Sequence, residues 1–296
     1  MKFRAHETFH IRKGWLNKGL YNVIQEPGVF LGDAGNPMDV MGIGSNMVKS
    51  LRYWLQAAGL TEEPNHGKRT QTLTELGQII YDNDPFFEEI GSLWLVHYMI
   101  ASNEEDATAW YLFFNEFDQT EFTEEDFYSR LRKYVKMIDP EKMPADRAIY
   151  EDFRCVMGTY VKRTRSNGDK SDPEDNMECP LTELGLIDTV SGSAKNKYYR
   201  KINPKIENIP ELIALAIIIK TAEGKDEIKI SSVLSDKNSL GKTMNLDTIT
   251  LINLLYKLDN LGYLKVVRTA GLDIIKLSTD MSFTDCVRKY YEELNA

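Results

Sequence analysis

The clearest periodic pattern of apolar and polar positions lies near the C-terminus. In LDTITLINLLYKLDNL, residues 246–261, Leu251, Leu254, Leu255 and Leu258 recur at helical spacing, and Gly262 follows as a stop. The next segment, YLKVVRTAGLDIIKLS, alternates apolar and polar residues on both sides of a turn at Ala270 and Gly271, which predicts a hairpin. A helix running into a two-stranded hairpin is the pattern of a winged helix, with Lys265 and Arg268 on or beside the wing. Near the other end, GIGSNMVKSLRYWLQAAGL predicts a helix that opens at Ser45 or Asn46, buries Met47, Leu51, Trp54 and Leu55, and stops at Gly59. The preceding NVIQEPGVFLGDAGNPMDVMG is turn-rich and suggests a loop or short strands. After the helix, KRTQTLTELGQII reads as a loop and a short helix capped by Thr72 or Thr74, closing a helix-turn-helix-like unit.

Between these ends the pattern predicts helices over 85–103, 107–116 and 122–137. The last has Thr123, Glu124 and Glu125 at its start and Lys133 and Lys136 toward its end, as a helix dipole favours. SNGDKSDPEDNMEC, residues 166–179, is too polar and acidic to bury a core and reads as a linker. The pentapeptide LTELG occurs at 73–77 and again at 181–185, by internal duplication or by chance. The expected organisation is α+β and mainly helical, with winged-helix-like modules at both ends. It comprises a basic N-terminal module over 1–80, an acidic helical domain over 81–165, a linker with a short helical segment over 166–205, and a C-terminal winged-helix-like domain over 206–296.

Charge sharpens this division. The net charge of −9 over 296 residues would oppose binding to a polyanion if it were spread evenly. Residues 1–70 carry nine Lys/Arg against six Asp/Glu, residues 71–129 carry fourteen acids and no Lys or Arg, and residues 130–296 carry 27 bases against 25 acids. The acidity therefore belongs to one segment, and salt screens it beyond about 10 Å, so a basic face elsewhere can still hold phosphate. No apolar run is long enough to span a bilayer, and the opening residues lack the apolar core of a signal peptide, so the expected location is cytoplasmic with no membrane partner. Cys155, Cys179 and Cys286 lack the spacing of a disulfide framework or a thiolate metal site and are expected as reduced thiols in or near the core.

Three clusters carry candidate chemistry. In the opening arm, Arg4, Arg12 and Lys13 can neutralise phosphates of double-stranded DNA. His6 as base or metal ligand and Glu7 as a Mg²⁺ ligand could activate water at a phosphodiester, and the plain alternative is that His6 pairs structurally with Glu7 or another partner. In GIGSNMVK, Ser45 and Asn46 sit where a helix start binds anions, and Lys49 and Arg52, three apart, share one edge of what would be a recognition helix. Simple capping by Asn46 is the alternative. Lys265 and Arg268 form the third cluster. The aromatic runs GSLWLVHY and WYLFFNEF lie in the acidic segment, so core packing outweighs base stacking, and His97 reads as a satisfied core histidine. Acidic pairs at Asp82 with Asp84, at Glu88 with Glu89, and at Asp172 with Glu174 and Asp175 are weak metal candidates, because a nuclease site needs carboxylates converging from separate elements.

The ordered strings HETFHIRKGWLNKG, GIGSNMVKSLRYWLQAAGL, LTELG, DPFFEEIGSLWLVHY, WYLFFNEF and CPLTELGLI resemble a bacterial family found beside DNA phosphorothioation genes. Within it they resemble the SspB-like proteins of a single-strand phosphorothioation and anti-phage defence system. The resemblance covers residues 3–190, while the C-terminal third carries no matching motif. It implies a DNA-nicking component acting with a cysteine desulfurase, an ATPase and a sulfurtransferase-like enzyme related to phosphoadenosine phosphosulfate reductases. It assigns no catalytic residue by motif, so His6 and Glu7 rest on local chemistry alone. Two rivals stand beside a Mg²⁺-dependent nickase: a non-enzymatic DNA-binding regulator, and an assembly adaptor whose acidic middle docks a basic partner. A second copy of the chain, as a homodimer, is a further candidate partner.

Overall fold

The structure is a computed structural model that describes residues 1–162, 178–190, 197–269 and 271–296. At the N-terminal end, α1 (Trp15–Gln25), α2 (Pro37–Met41) and α3 (Ser45–Ala57) lead into a short antiparallel ribbon of β1 (Thr61–Glu62) and β2 (Thr72–Leu73), followed by α4 (Glu75–Asn83). Helices α5 (Ile90–Ala101) and α6 (Thr108–Asn115), strand β3 (Glu121–Phe122), and helices α7 (Glu124–Ile138) and α8 (Asp146–Tyr160) form the middle. A 3₁₀ turn at Pro180–Leu184 precedes β4 (Ile187–Val190) and β5 (Tyr198–Lys201), and β5 lies between β3 and β4 in a three-stranded antiparallel sheet. The C-terminal end runs α9 (Glu211–Ala222), β6 (Glu227–Lys229), α10 (Ile230–Ser235), α11 (Leu240–Thr243), α12 (Thr248–Asn260), β7 (Leu264–Thr269), β8 (Leu272–Leu277) and α13 (Phe283–Leu294). Its sheet, in the order β6-β8-β7, is also antiparallel. The fold is therefore α+β and mainly helical, with small open sheets near both ends, an arrangement consistent with winged-helix-like modules.

Local sequence explains most boundaries. Thr74 caps α4 by accepting the Gly77 N–H at 3.0 Å. Thr123 with Asp126, and Ser282 with Asp285, form capping boxes at α7 and α13. Asp247 caps α12, and Gly262 follows that helix in the left-handed region at φ 81°. The aromatic runs of α5 and α6 are core: Trp94, Tyr98, Trp110, Phe113 and Phe114 are all buried. Buried side chains from Ile11 to Tyr291 form one contiguous apolar cluster that joins both ends to the middle.

Several expectations are corrected. The turn-rich segment before α3 holds no strand; Asn36 caps a helical turn by accepting the Met38 N–H, with Pro37 at the first helical position. The helix expected over 85–103 starts at Ile90, because Asp84 takes the N–H groups of Glu88 and Glu89 and Phe87 adopts φ 56°. The two LTELG copies fold differently. Gly77 is helical and lies so close to the Leu60 carbonyl that a Cβ would be 2.0 Å away, whereas Gly185 ends a 3₁₀ turn at φ 63°. Residues 166–177 of the expected linker, with Asp172, Glu174 and Asp175, lie outside the described residues, as does Ala270.

Helix α13 turns back onto the N-terminal half. The Tyr290 hydroxyl accepts the Gly91 N–H at 3.1 Å, the Tyr291 hydroxyl meets Ser92 Oγ at 2.5 Å, and Arg288 pairs with Glu75 at 3.0 Å. Ser92 in turn donates to buried Asp84 at 2.5 Å, so one carboxylate organises the α4–α5 junction and the docking of the last helix.

Candidate nucleic-acid interface

The opening residues are tied down against α8. His6 is 1% exposed; its Nδ1 accepts the Thr8 N–H at 3.0 Å, so Nε2 carries the proton and donates to Asp152 Oδ1 at 2.7 Å. The ring packs among Tyr53, Trp54 and Trp110. Arg4, Glu7 and Thr8 all have left-handed backbones, at φ 58°, 49° and 69°, a costly conformation for a β-branched residue such as Thr8. The His6–Asp152 pair holds this strained loop closed, helped by the Arg4 N–H, which donates to Asp152 at 2.8 Å. Both ring nitrogens of His6 are thus engaged inside the protein, while Glu7 stays half-exposed. Arg4 pairs with Glu151 and Lys2 with Asp106 at 2.6 Å. Arg12 is 5% exposed, with its guanidinium 5.4 Å from the ring centroids of both Phe9 and Trp15. Lys13 is exposed, beside a cavity of about 190 Å³ that is also lined by Asn17, Phe86, Glu88 and Glu183.

Helix α3 presents a different surface. Gly44 is its N-cap and supplies no side-chain bond, and Asn46 does not cap it, so Ser45 and Asn46 stand exposed on the first turn. Lys49 is exposed, and its amine lies 3.5 Å from Asn46 Oδ1. One turn later Arg52 meets Glu63, at the root of the nine-residue connection 63–71 between β1 and β2. Arg52 Nε donates to Glu63 Oε1 at 2.7 Å, with Nη2 at 2.6 Å from the same oxygen. Gln56 and Gln71 donate to Oε1 at 3.0 and 3.4 Å, and Arg69 Nε donates to Oε2 at 2.9 Å. The Glu63 side chain is only 4% exposed, although residues 64–69 beside it are all exposed. Lys68, from the same loop, pairs with Asp33. Glu63, Lys68 and Arg69 escaped sequence reasoning because the flanking strands are two residues long, too short to show an alternation.

At the C-terminal end, the exposed positions of α12 include Thr248, Ile249, Asn253, Tyr256 and Asn260, none of them cationic. The three wing cations are each matched: Lys265 with Asp259 at 3.0 Å, Arg268 with Asp273 at 2.8 Å, and Lys276 with Glu227 at 2.5 Å. Both ends thus set a helix beside a small ribbon, but their surface charge differs.

The buried titratable groups serve packing. His97 donates from Nε2 to the Thr243 carbonyl at 2.7 Å and accepts the Tyr160 hydroxyl on Nδ1 at 2.8 Å, and burial pushes its pKa down to about 4. Lys201 Nζ donates to the Phe113 carbonyl at 2.7 Å and the Phe117 carbonyl at 2.5 Å at the end of α6, and burial lowers its pKa to about 7. All three cysteines are buried, and burial raises the Cys179 and Cys286 thiols to about 12. Among the described residues no group of three or more His, Cys, Asp or Glu could hold a metal ion. Glu7 has no second ligand in His6, so this pair does not fit a magnesium site of the expected kind. Nor is any described helix long and apolar enough to cross a membrane.

Comparison with solved structures finds an SspB crystal structure with a TM-score of 0.84 and 26% identity, covering 99% of this chain and 87% of the other. A magnesium-ion-bound SspB crystal structure matches with the same TM-score and identity, over 100% of this chain and 89% of the other. No curated protein matches the sequence. Both structural matches include the C-terminal third, where no sequence motif is apparent. A family model described as a protein of unknown function, DUF4007, matches residues 3–291, and the chain belongs to that family.

Proposed function

We propose that the chain is the DNA-engaging, DNA-nicking component of a bacterial phosphorothioation-based modification and anti-phage defence system. Its substrate is double-stranded DNA, and its partners are a cysteine desulfurase, an ATPase and a sulfurtransferase-like enzyme. The likeness to SspB over the whole chain, at a TM-score of 0.84, is the observation that carries this reading. The two ends support it: α3 with β1–β2 and α12 with β7–β8 each resemble a winged helix, a unit that lays its helix in a groove and its ribbon on the backbone. Lys13, Ser45, Asn46, Lys49 and Arg52 are the principal DNA contacts in this reading. Lys265 and Arg268 contribute less, since each shares its charge with an aspartate. His6 and Arg12 act from within, shaping the opening loop.

Magnesium enters this reading through the magnesium-bound SspB structure, and Glu7 is the half-exposed carboxylate of the opening segment. The second reading is a DNA-binding adaptor without nuclease chemistry, favoured by the enclosure of His6, both of whose ring nitrogens are bonded within the protein. A supercoiled-plasmid nicking assay with Mg²⁺, Mn²⁺ and EDTA separates the two. The nickase reading expects metal-dependent relaxed product, and a Glu7→Gln variant that nicks at full rate removes Glu7 from the site. The shared DNA reading is tested by titrating a labelled duplex at two salt concentrations. It expects binding that weakens steeply with salt, and no binding at low salt overturns it.

A further inference from the structure

The side chains around Glu63 form an unusual charge arrangement for an exposed loop. A nearly enclosed carboxylate bonds two guanidiniums from different elements, Arg52 on α3 and Arg69 in the 63–71 loop. One negative charge serves two positive ones, so this junction keeps a positive surplus. Arg69 commits its Nε to Glu63, yet its side chain is 66% exposed, and its terminal nitrogens have no acceptor among the described residues. Lys68, at 61% exposure, and Lys49, one turn before Arg52, flank the pair; Asp33 offsets only Lys68. A guanidinium has five N–H donors in a rigid fork suited to phosphate oxygens, and fixing the fork beforehand lowers the entropy lost on binding. At the C-terminal end, by contrast, each wing cation, Lys265, Arg268 or Lys276, has its own carboxylate.

We propose that the 63–71 loop is a phosphate-contacting wing for duplex DNA, with Lys68 and Arg69 as backbone contacts alongside Lys49 and Arg52, and with Glu63 as the positioning residue that presents the two arginines. The proposal rests on the DNA-binding reading above and names the surface that performs it. Glu63 separates positioning from simple electrostatics by sign. Removing a negative charge beside a polyanion strengthens binding if charge alone matters; it weakens binding if the carboxylate holds the arginines in place.

The test uses the full chain, a fluorescently labelled duplex and anisotropy titrations over a range of salt. Lys68→Ala combined with Arg69→Ala alters two exposed side chains and leaves the core untouched. Each lost phosphate contact lowers the slope of log affinity against log salt by about 0.9, so the double variant is expected to lose about 1.8 in slope and to bind at least roughly tenfold more weakly at low salt. Glu63→Gln is expected to bind several-fold more weakly while still folding and melting cooperatively, at a somewhat lower temperature, and Lys133→Ala, an exposed cation on α7, is expected to bind as the parent does. If the parent binds DNA and the double variant keeps its affinity and slope, the wing assignment is overturned while the DNA reading stands. If Glu63→Gln binds as tightly as the parent or more tightly, the positioning role is overturned. If the parent itself does not bind, both readings fall.

Discussion

Replacing His6 with alanine separates a structural from a catalytic role for the opening segment. The ring is 1% exposed and touches three aromatic side chains, so its removal leaves a cavity of the kind that costs about 2–4 kcal/mol when a large core side chain is truncated. It also removes the 2.7 Å bond to Asp152, and a bond to a charged acceptor contributes about 1.5–3 kcal/mol. Relief of the strained Thr8 backbone returns roughly 1–2 kcal/mol, because that residue then loses the acceptor that fixes its N–H. The net expectation is a loss of about 3–5 kcal/mol, which for a chain of this size lowers the melting temperature by on the order of 10 °C. Urea denaturation followed by circular dichroism, together with a thermal melt, measures both. A loss below about 1 kcal/mol, with DNA nicking abolished, refutes the reasoning and returns His6 to the catalytic role.

Burial of His97 makes stability pH-dependent. Its folded pKa of about 4 lies below its ordinary 6.5, so the unfolded chain binds the extra proton; the stabilisation is complete above pH 6.5 and is lost as pH falls toward 4. Between pH 7 and pH 5 this amounts to about 2 kcal/mol, and denaturation curves for the parent and His97→Gln should show a shallower pH slope in the variant. Because Cys155, Cys179 and Cys286 are all buried, a thiol reagent should label none of them rapidly in the native protein and all three after denaturation. Fast labelling of any one in the folded chain contradicts that enclosure. Tyr291→Phe removes the hydroxyl that meets Ser92 and should cost about 1 kcal/mol in a denaturation experiment; no change means the hydroxyl does not help dock α13.

The helix and hairpin near the C-terminus were largely legible in the sequence. Leu251, Leu254, Leu255 and Leu258 mark α12 because their periodicity and the stop at Gly262 act locally, and the alternation beyond them gives β7 and β8. The core role of His97 and the aromatic runs also followed, since no base accompanies them in the acidic segment. Long-range relations were hidden. Asp152 lies 146 residues from His6, so nothing nearby announces that the histidine is enclosed. The clasp of α13 on α5 spans 199 residues and depends on two tyrosine hydroxyls that composition does not distinguish from surface groups. The opening segment reads as a basic arm because Arg4 shows its charge in the sequence, whereas Glu151, which holds it, belongs to the middle. Glu63, in turn, reads as one of many acids until the fold brings Arg52 and Arg69 to it.

The central claim is that the N-terminal helix-and-ribbon unit is the principal DNA-contacting surface. Hydrogen–deuterium exchange on the full chain, with and without a saturating duplex at low salt, tests it most directly. The account predicts the strongest protection in peptides covering residues 45–73, with weaker changes over 264–277 and none over α7. Protection confined to residues 248–277, or to the opening residues 1–13, would contradict it.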